Sequence, residues 1–459
     1  MKTSVGYRRR SKRSRVHKGR VFGFLFVVTL ATLAAWLWND GRSGVSTRGI
    51  AAAPQRAATA FARAVKPEPA WTNAQRLALA AQLHGAFAPA LAGAAGWSLA
   101  VSGDSGDLVF DDRASRAVAP ASVQKLIVAA TALDALGPHY RFHTIFAAAA
   151  PVAADGTLDG NLWLVGSGDP SLQSADLRNG IAMLSRGGLR RVDGGVVIDA
   201  TAIGGPALNP NWPADDDGQN YAAPSSAVSL DGDTIESHQT VEGADQAVWA
   251  PMQDVPRSVG AAAQAMLAEQ GVAASAPFAL GAAPLDSVVL WNHKSAPLAT
   301  LETHMLYVSD NHYAEQLLRA VGGEVSGVAD DEGGLSAERL FLRRRDVPTP
   351  GLKIFDGSGL SPKNRIAAVT MARLLIAQEP ALYRLLPLGG REGTLAGYDF
   401  TNALGRVRAK TGHLSDVSAL AGYANTAHHG RVAFAFLVDG SPGDPDDAIV
   451  RAVDRLVQF

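Results

Sequence analysis

The chain has 459 residues, 47% hydrophobic and 19% charged, with 47 Gly and 24 Pro; it is long enough for about three domains and not polar or repetitive enough to be disordered. It contains no cysteine, which excludes disulfides, Cys-ligated zinc, iron–sulfur clusters and thiol nucleophiles together. The net charge of −1 hides an asymmetry: residues 1–20 carry nine Lys/Arg and no acid, so the rest holds 33 basic against 43 acidic side chains, a poor footprint for nucleic acid.

The basic segment, with Arg8, Arg9, Arg10, Lys12, Arg13 and Arg15, runs into Val21–Trp38, eighteen residues without a charge. The positive end is expected to stay in the cytoplasm. A secretory signal has an apolar region of about 7–15 residues and a spanning helix about 18 or more, so the stretch lies at the border between signal peptide and inner-membrane anchor. Trp36 and Trp38 at its outer end suit the headgroup region and favour the anchor; the alternative is cleavage near Ala51 or Ala53. Either outcome exports the body to the periplasm or cell envelope. Residues 39–70, with Pro54, Pro67 and Pro69, read as a linker.

From Thr72 a helix-like stretch leads to two strands, Trp97 to Val101 and Leu108 to Asp111, around a turn at Gly103 to Gly106. A helix from about Ser122 to Leu136 follows, with Pro120 before it, Gly137 after it, and Leu126, Ala129, Ala130 and Leu133 at helical spacing. Residues 141–297 mix short strands (Leu162 to Val165, Gly195 to Asp199, Val288 to Trp291) with helices near Leu177 to Leu184 and Val259 to Ala268, and read as an inserted domain. Residues 71–140 and 298–459 then form the catalytic domain. In it, Leu298 to Tyr307 and His312 to Ala320 are two helices joined by a tight turn. Three strands, Arg406 to Thr411, Ala419 to Asn425 and Arg431 to Leu437, precede a helix with Ile449, Val453, Leu456 and Val457 on one face. Short links between consecutive strands predict an antiparallel sheet in an α+β fold.

Beyond residue 20 there are six lysines, Lys66, Lys125, Lys294, Lys353, Lys363 and Lys410, because Arg supplies nearly all other positive charge. Arg cannot lose its proton in a protein and a buried Lys can, so a base at neutral pH has to be a lysine. Ser122-Val123-Gln124-Lys125 places a hydroxyl and an amine one helical turn apart on one face, with Ser122 at the helix N-terminus where N–H groups favour an oxyanion. Alone it is weak, since roughly 0.4 such matches arise by chance, and a helix cap with a surface lysine is the bland reading. Ser309-Asp310-Asn311 occupies the turn between two helices and offers a hydroxyl and a carboxamide, or simply a cap for the second helix. Lys410-Thr411-Gly412 ends a strand and suits docking of an extended peptide ending in carboxylate, or is a strand end with a turn Gly.

Ser-x-x-Lys, Ser-x-Asn and Lys-Thr-Gly in this order resemble the active-site-serine penicillin-binding proteins and serine β-lactamases. The flanking text is similar to the D-alanyl-D-alanine carboxypeptidase/endopeptidase family, peptidase family S13, low-molecular-mass penicillin-binding proteins. The matching stretches are Pro120 to Leu126, Gly166-Ser167-Gly168-Asp169-Pro170-Ser171-Leu172, Ser309 to Asn311 with Ala314-Glu315, Asp356-Gly357-Ser358-Gly359-Leu360-Ser361, Gly393-Thr394-Leu395, and Lys410 to Gly412, spread over about residues 75–459. The long interval between Ser122 and Ser309 resembles the family's inserted domains.

The resemblance implies a transpeptidase-like fold, peptidoglycan stem peptides as substrate, acylation by β-lactam antibiotics, and no cofactor. It implies Ser122 as nucleophile, Lys125 as its base, Ser309 as proton relay to the leaving amine, Asn311 on the substrate amide, and Lys410, Thr411 and Gly412 at the terminal carboxylate. Backbone N–H groups of Ser122 and His413 would form the oxyanion hole. Relatives commonly carry a small hydroxyl residue where this chain has His413, whose imidazole is then either a tolerated rim side chain or a pH-sensitive group. Asp169 resembles the position through which some relatives grip the amino end of a diaminopimelate side chain; a turn-forming Asp before Pro170 is the alternative. No Gly-Lys pair exists for a phosphate loop, and no His-Glu-x-x-His for a catalytic metal. A β-lactamase, or a catalytically silent peptidoglycan-binding or scaffold protein, would be the competing functions.

Overall fold

A computed structural model describes residues 70–241, 244–441 and 445–459. The basic segment, the apolar stretch Val21–Trp38 and most of the linker lie outside the described residues. Among the described residues no helix is long and apolar enough to cross a membrane.

The strand Arg431–Asp439 sits in the middle of a five-stranded sheet, and its run of buried apolar residues is what a strand covered on both faces requires. Phe434, Phe436 and Val438 pack on one side with the helices Asn73–Leu91 and Pro445–Leu456, and Ala433, Ala435 and Leu437 pack on the other against a group of buried helices. The order across the sheet is Val407–Leu414, Val417–Asn425, Arg431–Asp439, Gly96–Ser102, Leu108–Asp112, every pair antiparallel. The expected antiparallel sheet in a layered α+β fold is thus present, and its Lys-Thr-Gly strand is an edge strand.

Each layer has a local cause. The helix Asn73–Leu91 starts with a capping box: Thr72 Oγ1 accepts from the Gln75 N–H, and Gln75 Oε1 accepts from the Thr72 N–H at 2.9 Å. Its Leu79, Leu83, Ala86 and Phe87 then line the sheet. On the other face, Ala419, Ala421, Ala433 and Ala435 keep the sheet surface low, so helix Lys125–Ala135 can be buried from Lys125 through Ala132. Helices Leu298–Val308, Asn311–Ser326, Asp331–Arg344 and Ala368–Ala377 complete that layer.

Residues 143–294 carry a second five-stranded sheet with its own core, in the order Ala279–Leu280, Val196–Asp199, Leu162–Gly166, His143–Ala148, Val288–Lys294. It is mixed: Leu162–Gly166 runs parallel to Val196–Asp199 and antiparallel to His143–Ala148. Helices Ser174–Arg186 and Val255–Glu269 pack on it through Leu177, Ile181, Val259 and Ala263. A hairpin of Thr234–Val241 and Ala244–Pro251 stands apart from both sheets.

Three features differ from the sequence expectation. The helix expected from Ser122 begins as a 3₁₀ turn over Ala121–Gln124 and becomes α-helical only at Lys125. The amphipathic helix Asp331–Arg344, the helix Ala368–Ala377 and the hairpin were not anticipated. Val457 is buried beyond the end of the last helix, although it was placed on that helix's face.

Candidate active site

Ser122 is presented by a tight and unusual piece of backbone. Ala121 is fully buried at φ +46°, a left-handed conformation that an alanine adopts only when its surroundings hold it there. One support is Gly359, at φ +84°, whose missing side chain makes room for the Ala121 carbonyl; a Cβ there would lie 2.0 Å from that oxygen. Gly412 supplies another: a Cβ on it would come within 3.1 Å of the Ser122 nitrogen. The Lys-Thr-Gly strand therefore presses directly on the serine turn. No side-chain cap accompanies that turn, so Ser122 is not a helix-capping residue.

Lys125 is fully buried one turn further on. Its Nζ donates to Asn311 Oδ1 and to the Ser358 carbonyl, both at 2.7 Å, and lies 3.0 Å from Ser122 Oγ. The first two partners can only accept. A neutral amine has two N–H bonds and one lone pair, so once those two are served the lone pair is left facing the Ser122 hydroxyl. Burial pushes the Lys125 pKa down to about 8, against the upward pull of Asp356, Glu315 and Asp310.

Ser309 ends the helix Leu298–Val308 at φ +63°, and Asp310 caps the next helix by accepting from the Tyr313 N–H at 3.1 Å. The capping role foreseen for this triplet is real, and it belongs to Asp310; it leaves Ser309 and Asn311 projecting from the turn. Asn311 spends its oxygen on Lys125 and donates from Nδ2 to the Tyr221 carbonyl at 2.9 Å. Its carboxamide thus orients the lysine and keeps one N–H for another acceptor.

Lys410 Nζ donates to Ser309 Oγ at 2.8 Å and to the Thr411 carbonyl at 2.7 Å, giving a second Lys–Ser pair beside the first. It too is fully buried, and its pKa is held well below the usual lysine range by burial and by the neighbouring Lys125. Thr411 Oγ1 donates to Thr394 Oγ1 at 2.8 Å. Neither Lys410 nor Thr411 lines the open cleft; Lys410 connects to it through its hydrogen bond to Ser309.

The register fixes what the edge strand offers. The turn Ser415–Asp416 makes Leu414 and Val417 a hydrogen-bonded pair, so alternation turns the backbone of His413, Thr411, Ala409 and Val407 outward. Two outward groups are accounted for: the Ala409 N–H donates to Pro387 O and the Val407 carbonyl accepts from Gly389. The same parity turns the His413 N–H outward, away from the neighbouring strand.

These elements surround a cleft of about 710 Å³ lined by Ser122, Ser309, Asn311, Tyr221 and His413. The His413 ring is half exposed, with Nε2 at 2.8 Å from Asp446 Oδ2 and 3.3 Å from the Tyr398 hydroxyl. Asp169 lies elsewhere: it is buried, its Oδ1 accepts from the Ser171 N–H and hydroxyl, and Oδ2 stands 3.8 Å from His293. Those are the contacts of a turn-forming aspartate, and burial raises its pKa. The carboxylates on the cleft wall are instead Asp215, Asp216, Asp416 and Asp439, none of them singled out from sequence. Among the described residues no cluster of His, Asp and Glu is arranged to hold a metal ion.

Two further residues support the lysine. Glu315, buried, accepts from the Gly357 and Ser358 N–H groups, the latter at 2.8 Å, and so aims the Ser358 carbonyl at Lys125. Asp356 accepts from Gly359, Ser361, Asn364 and Trp212 and shapes the same loop. Both stretches carry the family resemblance in the sequence, but nothing local in them shows that they position the Ser358 carbonyl.

Comparison with known proteins agrees with the geometry. The family model described as D-Ala-D-Ala carboxypeptidase 3 (S13) matches residues 79–246 and 239–458. A D-alanyl-D-alanine carboxypeptidase of Actinomadura sp. (strain R39) is 28% identical over 446 residues, covering 81% of this chain and 82% of that one. Carboxypeptidase DacB of Mycolicibacterium smegmatis is 30% identical over 385 residues, covering 77% and 78%. The crystal structure of penicillin-binding protein 4 (dacB) from Haemophilus influenzae superposes with a TM-score of 0.74 at 22% identity, covering 82% of this chain and 98% of that one. The paired Ser–Lys contacts, the edge strand and these matches have one reading: the chain belongs to the D-Ala-D-Ala carboxypeptidase 3 (S13) family and is a serine-type peptidase.

Proposed function

We propose that this cleft cleaves D-Ala-D-Ala-type bonds in peptidoglycan stem peptides through an acyl-enzyme on Ser122. The observation that carries the reading is the Lys125 amine, buried and fixed by two obligate acceptors with its third position on Ser122 Oγ. Neutral Lys125 takes the Ser122 proton as the oxygen bonds to the substrate carbonyl carbon. The resulting oxyanion lies between the N–H groups of Ser122 and His413. The C–N bond then breaks; its electron pair stays on nitrogen and takes the Ser309 proton, which Lys410 replaces. The proton gained by Lys125 returns through solvent to Lys410; water then attacks the ester with Lys125 again as base, and that proton ends on Ser122 Oγ as the acid product leaves.

Asn311 presents its remaining N–H to the substrate amide. Lys410, with Thr411 and Gly412 beside it, draws in the terminal carboxylate by its field through Ser309, and the acidic wall at Asp215 and Asp216 suits a free amino group on the stem. The two family relatives named as carboxypeptidases support this substrate class. Penicillins present a similar carbonyl and carboxylate and acylate the same serine. The basic segment and Val21–Trp38 export the body to the cell envelope, held at the inner membrane or released after cleavage.

Labelling by a fluorescent penicillin and release of D-alanine from a pentapeptide test this together. Ser122→Ala abolishes both, and Lys125→Arg does so while keeping the charge, because Arg cannot accept the proton. Persistent labelling of the alanine variant would remove Ser122 from its role; retained turnover of the arginine variant would point to another base.

A further inference from the structure

A second cavity, of about 350 Å³, opens on the other side of the Ser309 turn and shares Ser309, Asn311 and Tyr221 with the catalytic cleft. Ser122 and His413 line only the first. Tyr221 is the wall between them: its carbonyl accepts from Asn311 Nδ2, its hydroxyl donates to Asp216 Oδ1 on the cleft side at 2.8 Å, and it also borders the second space. Opposite stand Trp249, from the hairpin, and Val308, just before Ser309. They are 52% and 54% exposed, unusually open for such large apolar residues beside a polar turn. Thr234 adds a hydroxyl to the rim.

The position follows the chemistry of the leaving group. The attacking oxygen lies in the first cavity, while Ser309, which protonates the departing nitrogen, lies in both. An amine carrying only a terminal D-alanine needs no space past Ser309. An amine on the side chain of a diamino acid in a second stem peptide does, and its methylene chain matches an apolar wall of Trp249 and Val308 better than water. We infer that this second cavity is the leaving-strand subsite for cross-linked stem peptides, holding the aliphatic side chain of the departing diamino acid between Trp249 and Val308. The inference rests on the acyl-transfer reading above and assigns Trp249 and Val308 as residues that favour cross-linked over monomeric stem peptides.

The test compares the full-length protein with its Trp249→Ala and Trp249→Phe variants on three substrates: a cross-linked muropeptide dimer, the monomeric pentapeptide, and a fluorescent penicillin whose acylation rate reports an intact site. Trp249→Ala is expected to lower the dimer-to-monomer ratio of kcat/KM about fivefold or more, through KM, with Trp249→Phe in between. An unchanged ratio in both variants overturns the subsite. So does failure of the wild-type protein to cut the dimer while it still trims the monomer. Failure of the wild-type protein to take up penicillin would instead overturn the acyl-enzyme reading itself.

Discussion

Glu315 and Lys125 are joined through the backbone of one residue: the Ser358 N–H donates to Glu315 Oε1 at 2.8 Å, and the Ser358 carbonyl accepts from Lys125 Nζ at 2.7 Å. The carboxylate never touches the lysine, yet it sets where the acceptor stands and adds a negative charge that raises the lysine's pKa. Its own pKa is raised to about 8 by burial and the nearby Asp356 and Asp331. Two predictions follow from replacing it with a neutral isostere.

In Glu315→Gln the amide oxygen still accepts from one N–H, but the NH₂ faces the other, so about 1 kcal/mol of support is lost and acylation at the optimum slows roughly fivefold. The ascending limb of the rate against pH, set by deprotonation of Lys125, moves to lower pH because one charge that favoured the ammonium is gone. Penicillin acylation measured between pH 5 and 10 checks both. A slower rate with an unmoved limb would reduce Glu315 to a packing residue.

Gly359→Ala probes the serine turn from the opposite side. The new Cβ would meet the Ala121 carbonyl at 2.0 Å, and its own φ of +84° is strained for alanine. The backbone carrying Ser122 has to shift, with a cost of about 1–3 kcal/mol and acylation falling by tenfold or more. Acylation kinetics and Tm measured on one sample decide the matter: a normal rate would mean that the Ala121–Ser122 turn does not depend on this contact.

These two residues show where the sequence was legible and where it was not. Ser122, Lys125, Ser309, Asn311 and Lys410 could be read because local spacing or an unusual residue type marks each one: i, i+3 on a helix, a turn between two helices, a lysine in a lysine-poor chain. Strands such as Arg431–Asp439 were legible for a similar reason, being unbroken apolar runs. Glu315, Asp356 and Ser358 act through backbone groups 40 or more residues from Ser122, with hydrogen bonds that no local period encodes. The hairpin strands Thr234–Val241 and Ala244–Pro251 stayed hidden because the first is polar and the second breaks alternation with Ala-Val-Trp-Ala, and they pair only with each other. Asp169 was legible as a motif position, but its neighbour His293, 3.8 Å from Oδ2, lies more than a hundred residues away in the chain.

His413 separates a side chain from its backbone. The proposed part of this residue in catalysis is its N–H, turned outward by the strand register, while the ring leans on Asp446 at the rim. His413→Ala should therefore keep acylation within about threefold of wild type, whereas His413→Pro, which removes the donor on an edge strand that tolerates proline, should lose about 10²–10³. Equal losses in the two variants would assign the effect to the imidazole.

Glu302 gives a prediction about stability alone. It lies fully buried on the helix Leu298–Val308, neither carboxyl oxygen has a hydrogen-bond partner, and burial raises its pKa well above the usual 4.5. In the unfolded chain the group ionises as pH rises past 4.5, while in the folded protein it stays protonated, so folding is progressively disfavoured from there up to the folded pKa. Glu302→Met, similar in volume and without a proton to lose, removes that penalty along with two unsatisfied oxygens. The gain in Tm over wild type should be larger at pH 8 than at pH 5. A gain of equal size at both would mean that Glu302 ionises alike in the folded and unfolded chains, and that its buried carboxyl is solvated by something other than the side chains around it.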